Sequence, residues 1–443
     1  MGVNMGKELR NVVIVDAARS AFARGARGKL VATRLDDAGA TVLREMLDRN
    51  PKIQPHMVED IGMGQVGQAS ELAGIGADAV KKLAGLPQET STFQTNRQCG
   101  SSMETLHRIA QSIMVGAIDC GVSLGAERMG RQLGGGGRGN QDRNRNEVHN
   151  EKLLQTSDLQ RAPAPNHGDV FSVPFPDAIL DQPTNASMLQ TAQNVAEAYG
   201  LSRAEQDEFA VESHRKYGVA FDKGVYGDEI IPLEVETPVF DDEGNWVSAE
   251  VGEMVTFDMD EGFRPSTNME ALTNLRTLPV ESYTDAEIMI TAGNACPTND
   301  GISAAILMSE EKALELGLEP IARVVGFGVA GVKQQFMGLG PIPATRKALA
   351  NAGIEAGQID RVEFNEAFAA QVIPSITDLG IDMANVNVNG GSLAIGHPLG
   401  ATGARLVGTV SHELRRSGGR YGLATQCIGA GMGISTIVES MDN

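Results

Sequence analysis

Asn96-Arg97-Gln98-Cys99-Gly100-Ser101-Ser102-Met103 is the stretch on which the reading of this chain turns. Beyond it Met103, Leu106, Ile109, Ile113 and Met114 recur at three- and four-residue steps, which predicts an amphipathic helix over 101–115 that Gly116 ends. Cys99 then stands just before a helix N-terminus. Free N–H groups and the helix dipole lend positive character there and are expected to lower a thiol pKa. Gly100 leaves the neighbouring backbone open to close approach. A lone cysteine in such a place can equally be buried and inert, so its meaning depends on the company it keeps.

Outward from this segment, short apolar runs alternate with helical periods. N-V-V-I-V-D (11–16) reads as a buried strand, followed by a helix over 36–49, a strand near 58–64, a helix over 74–84 and, past the cysteine helix, a strand over 120–125. The second half repeats this order. A helix over 344–352 leads to the strand I-D-R-V-E-F (359–364), then to a strand and turn in V-N-V-N-G-G (386–391). A helix begins near Pro398, where proline suits a first turn, and a strand from Arg420 to Thr425 delivers Cys427. Between the halves, composition shifts at about residue 131 to a glycine-rich polar stretch and then to Pro163, Pro165, Pro174, Pro176 and Pro183, a long loop region. Helical periods resume over 187–199 and 203–223, the second with Ser202 and Glu205 spaced as a capping box. Short strands and turns fill 228–257, and I-M-I-T (288–291) and A-A-I-L-M (304–308) read as strands. The pattern implies two similar α/β halves with an insertion in the first.

Further segments have chemical character. G-G-S-L-A-I-G-H-P-L-G-A-T-G-A-R (390–405) sets His397 among glycines that keep the backbone thin. Q-C-I-G-A-G-M-G (426–433) places Cys427 after a strand, with Gly429 free to offer its N–H to an oxyanion. N-E-A-F-A-A-Q (365–371) puts Asn365 between a strand and a helix. Taken singly, each has a bland reading as a core or capping residue. Together they set two thiols, an imidazole and an amide at strand ends, where α/β folds place ligand sites. One thiol to hold an acyl group and another to move a proton suit acyl transfer coupled to carbon-acid chemistry.

Composition excludes other classes. A formal net charge of −20 argues against nucleic acid. Four widely spaced cysteines suggest neither a metal site nor a disulfide framework. No apolar run approaches the roughly 20 residues of a membrane span. The opening M-G-V-N-M-G has no signal-peptide core and the closing M-D-N no peroxisomal address, so a cytoplasmic location is expected. G-M-G-Q-V-G (62–67) and G-F-G-V-A-G (326–331) fit a dinucleotide pattern by spacing alone, and G-G-G-G (134–137) lacks the lysine of a phosphate loop.

With these motifs in hand, the chain resembles the thiolase family across nearly its whole length. V-V-I-V-D-A-A-R-S-A-F (12–22), C-G-S-S-M (99–103), T-A-G-N-A-C-P-T-N-D-G (291–301), M-G-L-G-P-I-P-A-T (337–345), N-E-A-F, G-H-P-x-G-x-x-G and C-x-G-x-G all appear in family order. The segment from Cys99 looks most like bacterial degradative 3-ketoacyl-CoA thiolases; the C-terminal half is equally similar to acetoacetyl-CoA thiolases. The resemblance implies a five-layer αβαβα fold, with residues 1–130 and 284–312 as one half, 313–443 as the other and 131–283 as an inserted loop domain. It implies Cys99 as acyl nucleophile, His397 as its base, Cys427 as the α-proton acid/base, Asn365 as holder of a water that with His397 stabilises the enolate oxygen, and the N–H groups of Cys99 and Gly429 as an oxyanion hole. Arg264, Cys296, Met188 and Met337 would contact substrate or coenzyme A. No metal and no cofactor is implied, coenzyme A being a substrate. The implied partners are acyl-CoA and coenzyme A, further copies of the chain in a homodimer or homotetramer, and a hydratase/dehydrogenase α-subunit. The rival readings are an acetoacetyl-CoA thiolase joining two acetyl-CoA and a non-catalytic acyl-CoA-binding protein; the latter has no need of two positioned thiols. Two departures stand out: Cys296 replaces the usual pantetheine-contacting serine, a weaker hydrogen-bond partner, and Leu189 stands where glycine is usual beside the acyl pocket. The stretch 131–186 reads first as a mobile polar loop, and second, through the apolar cluster of Phe171, Val173, Phe175 and Ile179, as a contact with a second copy or a partner.

Overall fold

The computed structural model describes residues 8–67, 70–130 and 187–442. Its first half contains β1 (Val12–Arg19), β2 (Ala23–Arg24), α1 (Leu35–Asp48), β3 (Asp60–Gly64), α2 (Gly76–Leu83), β4 (Ser91–Thr95), α3 (Ser101–Met114) and β5 (Cys120–Glu127). Next come α4 (Met188–Ala198), α5 (Arg203–Asp222), β6 (Leu233–Phe240), β7 (Trp246–Phe257), α6 (Met269–Thr273), β8 (Asn299–Ser309) and α7 (Glu310–Glu315). The chain ends with β9 (Ala322–Gly331), α8 (Pro341–Ala352), β10 (Ile359–Phe364), α9 (Ala369–Leu379), α10 (Ser392–Ile395), α11 (Thr402–Ser417), β11 (Tyr421–Ile428) and β12 (Met432–Ser440).

β1 and β8 are buried along their whole length, which is why both read as near-continuous apolar runs rather than alternating ones. They pair antiparallel, and β8 pairs in turn with β5, which runs parallel to β3, as β3 does to β4. The second half has the matching order β9-β12-β11-β10, with two antiparallel pairings and a parallel one at the end. A short antiparallel contact of Val12–Ile14 with Ala322–Val324 joins the two sets. β6 and β7 form a separate ribbon.

The two central helices explain the rest. α3 packs on β3, β5 and β8 and also on β12; α11 packs on β10, β11 and β12 and also on β8 and β5. Each therefore touches strands of both halves, and the two touch each other. α1 and α2 cover the outer face of the first half, and α8, backed by α9, covers that of the second. These are the five layers the resemblance implies. The middle layer is a dry core of Met103, Leu106, Ile109, Leu406, Val407 and Val410, all fully buried, where each aliphatic side chain contributes about 1.5–3 kcal/mol. At the crossing, a Cβ on Gly403 would lie 2.3 Å from Met103 N, so only glycine lets the helices meet this closely. Ser102 Oγ accepts a bond from Ala404 N at 2.9 Å, so one helix caps the other.

The capping box at Ser202 and Glu205 is present. Several expected elements are not where the sequence put them. α11 begins at Thr402, so Pro398 and His397 lie in a preceding turn rather than in its first turn. Cys427 lies inside β11, opposite Gly433, not after it. Residues 288–291 form no strand: Gln193 Oε1 takes the Met289 N–H at 2.9 Å and Gln193 Nε2 donates to the Glu287 carbonyl, so a side chain supplies the bonds a neighbouring strand would. Residues 386–391 make a single bridge to Val362, because Asn387 at φ 45° turns the chain and its side chain pairs with Phe364 instead. G-F-G-V-A-G lies within β9, so its dinucleotide spacing is that of a strand. The cluster of Phe171, Val173, Phe175 and Ile179 lies outside the described residues. Among those described, no helix is long and apolar enough to cross a membrane.

Gly403→Ala should lower the unfolding free energy in a urea titration by about 1–3 kcal/mol, since backbone must move to admit the methyl group. Gly357→Ala, whose added methyl meets nothing, should change it by less than about 0.5 kcal/mol. Equal effects would contradict the close crossing.

Candidate active site

Cys99 sits in a turn fixed from several sides. Gln98 is held at φ 47°, a left-handed conformation unusual for a side chain of its size. Asn96 Oδ1 accepts the Gln98 N–H at 2.9 Å, and Ser101 Oγ accepts from Arg97 N and donates to the Gln98 carbonyl. Gln426 Nε2, from β11, donates to the Cys99 carbonyl at 2.6 Å. The Gly429 N–H lies close enough to the Cys99 sulfur to favour its charged form. Part of Cys99 remains open to solvent. Nevertheless burial of the sulfur pushes the thiol up to about 11, outweighing the Gly429 N–H. This corrects the expectation of a thiolate stabilised by the helix terminus. The loss of water around sulfur exceeds what a partial charge at the helix end returns, so the resting group is a thiol that needs a base.

His397 meets that need. Gly396, at φ 111° and pressed against the Asn299 side chain, turns the chain, and Asn299 Oδ1 takes the His397 N–H at 2.9 Å. Thr402 Oγ1 donates to the Pro398 carbonyl at 2.9 Å, so its lone pair is left to accept from His397 Nδ1, 2.6 Å away. The proton is thereby assigned to Nδ1, and Nε2 carries the free lone pair. Burial, then the nearby Arg405 charge, lowers the imidazole to about 3, so it is neutral at physiological pH.

Asn365 follows β10 and lies against the imidazole, with Nδ2 at 3.3 Å from His397 Nε2. Its orientation is fixed through a chain of donors. Arg405 Nη2 donates to Ser392 Oγ at 2.8 Å, and Ser392 donates to Asn365 Oδ1 at 2.6 Å, leaving Nδ2 to face the ring. Arg405 is itself paired with Glu363 at 2.8 Å, both nearly fully buried. Glu366 receives bonds from Ser213, Asn387 and the Leu393 N–H, which ties α5 to the segment before His397.

Cys427 is fully buried, its thiol pushed up to about 12 by burial first and by the neighbouring Cys99 second. Cys296 is raised too, by burial and then by Cys99 and Cys427, so the structure brings these thiols within electrostatic reach of one another. Met188, Met337, Cys296 and Cys427 share one apolar cluster with Leu189 and Phe368. Arg264 is exposed and stands apart, on a turn that packs against Ala394 and Ile395. Cys120 is buried in β5, as expected. Gln371, Ser392, Thr402, Arg405 and Gln426 were not singled out from sequence, although all lie in or beside the motifs that were. Their polar side chains inside glycine-rich apolar runs were the available signal. Among the described residues no group of three or more His, Cys, Asp or Glu could hold a metal ion.

The chain as a whole matches known proteins. The profile of the thiolase N-terminal domain matches residues 12–311 and that of the thiolase C-terminal domain residues 318–440. The 3-ketoacyl-CoA thiolase of Aliivibrio fischeri is 37% identical over 436 residues, covering 97% of this chain and 100% of that protein. The beta-ketoadipyl-CoA thiolase of Escherichia coli is 37% identical over 433 residues, with coverage of 97% and 100%. The crystal structure of human mitochondrial 3-ketoacyl-CoA thiolase in complex with CoA superposes with a TM-score of 0.77 at 31% identity, covering 98% of each chain.

The assigned tautomer is open to nitrogen NMR of labelled protein. His397 should show a protonated Nδ1 and a bare Nε2, with no titration between about pH 8 and about pH 5, because its folded pKa is depressed. A midpoint at the ordinary value of 6.5 would contradict the burial argument.

Proposed function

This chain belongs to the thiolase family and is therefore an acyltransferase, and on that footing we propose that it cleaves 3-ketoacyl-CoA with coenzyme A to give acetyl-CoA and an acyl-CoA shortened by an acetyl unit. One observation supports this reading above the others: the Cys99 thiol and a neutral imidazole of fixed tautomer stand in the turns before two packed helices, with a second, buried thiol within electrostatic reach of the first. In thiolysis, Cys99 Sγ attacks the 3-keto carbon while His397 Nε2 takes its proton. The N–H groups of Cys99 and Gly429 hold the oxyanion. The bond between C2 and C3 then breaks, its electron pair passes into the acetyl-CoA enolate, and Cys427 protonates that carbon. Asn365 Nδ2 and His397 face the enolate oxygen. The acyl group left on Cys99 is taken by the coenzyme A thiol. A neutral thiol–imidazole pair suits this sequence, because charge appears only as the carbonyl is attacked.

The same steps in reverse join two acetyl-CoA, so the geometry favours no direction. Arg264, on its exposed turn, is assigned to the coenzyme A nucleotide, and Leu189 beside Met188 to limiting the acyl chain. The domain bounds are taken as 1–130 with 284–312, then 313–443, with 131–283 between them. Among the described residues β4 ends the sheet, and that edge suits pairing with a second copy of the chain.

Thiolysis rates across 3-ketoacyl-CoA substrates from about four carbons upward test the reading. Cys99→Ser should abolish acyl-enzyme formation, whereas Cys427→Ser should still be acylated but fail to condense acetyl-CoA. Near wild-type condensation by the Cys427 variant would contradict the proton-transfer role. Cys296→Ser should keep turnover within a few-fold, a difference of about 1 kcal/mol or less, because its hydroxyl restores a better partner for the pantetheine arm. Loss of most turnover in that variant would make Cys296 part of the chemistry.

A further inference from the structure

Gln371 stands in the first turn of α9, fully buried. Its Nε2 is 3.1 Å from the Asn365 carbonyl oxygen and 3.2 Å from Cys427 Sγ. A carbonyl only accepts, so the amide has one workable orientation: nitrogen toward Asn365, with its second N–H on the sulfur. The consequence falls on Oε1, which is buried and has no hydrogen-bond partner among the described residues. It rests beside Gly338, where an added Cβ would come within 3.1 Å of it and within 2.8 Å of Gln371 Cβ. Turning the amide over would not relieve this, because Oε1 would then face the Asn365 oxygen and the sulfur. The fold leaves an acceptor unsatisfied and keeps a glycine alongside it, and what it obtains is an N–H fixed on the second thiol.

We propose that Gln371 is a catalytic residue of the carbanion half of the reaction, its Nε2–H holding Cys427 as the thiolate that takes the α-proton of acetyl-CoA. The inference rests on the thiolase reading above. In the step concerned, taken in the thiolysis direction, the S–H bond of Cys427 breaks, its proton forms the new C–H bond at the enolate carbon, and the sulfur is left as the thiolate that Gln371 holds; abstraction of the α-proton is this step in reverse. An N–H bonded to an anionic sulfur is stronger than the same bond to a thiol, so Gln371 favours the charged partner. Burial opposes that charge, and the bond from Gln371 acts against burial. Neither of its bonds goes to Cys99 or Gly429. Its other bond goes to the Asn365 backbone carbonyl rather than to the His397 ring, so acyl transfer through Cys99 should depend on it far less than proton transfer at Cys427 does.

Two exchange reactions of the full-length protein separate these halves. Deuterium entry from D2O into the methyl group of acetyl-CoA reads proton abstraction at Cys427. Entry of isotopically labelled coenzyme A into acetyl-CoA reads acyl transfer through Cys99. Gln371→Met, similar in length but without a donor, should slow deuterium entry about tenfold or more and leave coenzyme A exchange within about threefold. Gln371→Leu, which also lacks a donor, should show the same split and serves if the methionine variant fails to fold. Equal loss of both exchanges, or no loss of deuterium entry, overturns the role of Gln371. Absence of both exchanges in the wild type would overturn the thiolase reading itself, which keeps the two failures apart.

Discussion

The close crossing of α3 and α11, with Gly403 against Met103 and Ser102 capping Ala404, is the contact on which the rest of the molecule depends. It buries the middle layer between the two sets of strands. It also brings the turns before the two helices, one bearing Cys99 and the other His397, to the same end of the packed pair. A site built this way inherits its geometry from a helix crossing rather than from loops. That is the condition for holding reacting groups to within a fraction of an ångström.

Around that crossing the protein keeps its reacting groups uncharged. Burial raises the Cys99 and Cys427 thiols and lowers His397. The fixed charges nearby are compensated within the protein: Arg405 is paired with Glu363 and passes its influence on through Ser392 and Asn365. Glu127 accepts N–H groups from Val66, Gly67 and Gly400, holding the turn after His397. Side-chain hydrogen bonds orient the site, and charge enters with the substrate.

Much of this was legible in the chain. The helical period after Cys99 gave α3 to within a residue at each end, and the repeated order of strands and helices gave the paired halves. The failures have a common cause. Residues 288–291 and 386–391 have the composition of strands, but the Gln193 side chain takes up the backbone at Glu287 and Met289, and the Asn387 side chain takes up the backbone of Phe364 in place of a strand pairing. No local pattern announces a partner that far away in sequence. The position of Pro398 suggested a helix start, whereas the chain first makes a turn in which the Pro398 carbonyl accepts from Ala401, Thr402 and the Thr402 hydroxyl. The nucleophile and base were visible as residue types in glycine-rich motifs, but their protonation was not. It depends on the water excluded by the whole fold, and for Cys99 it went against the local helix-end argument. Gln371, Ser392 and Arg405 became meaningful only when three-dimensional neighbours fixed which of their atoms donate.

The central claim is that one of three neighbouring thiols holds the acyl group. The most direct test is peptide mass spectrometry of the wild-type protein quenched in acid after brief mixing with acetyl-CoA. The account predicts an acetyl group on the peptide containing Cys99 and on neither of those containing Cys296 or Cys427. Acetylation of Cys296 or Cys427 in place of Cys99, or of none of them, would contradict it.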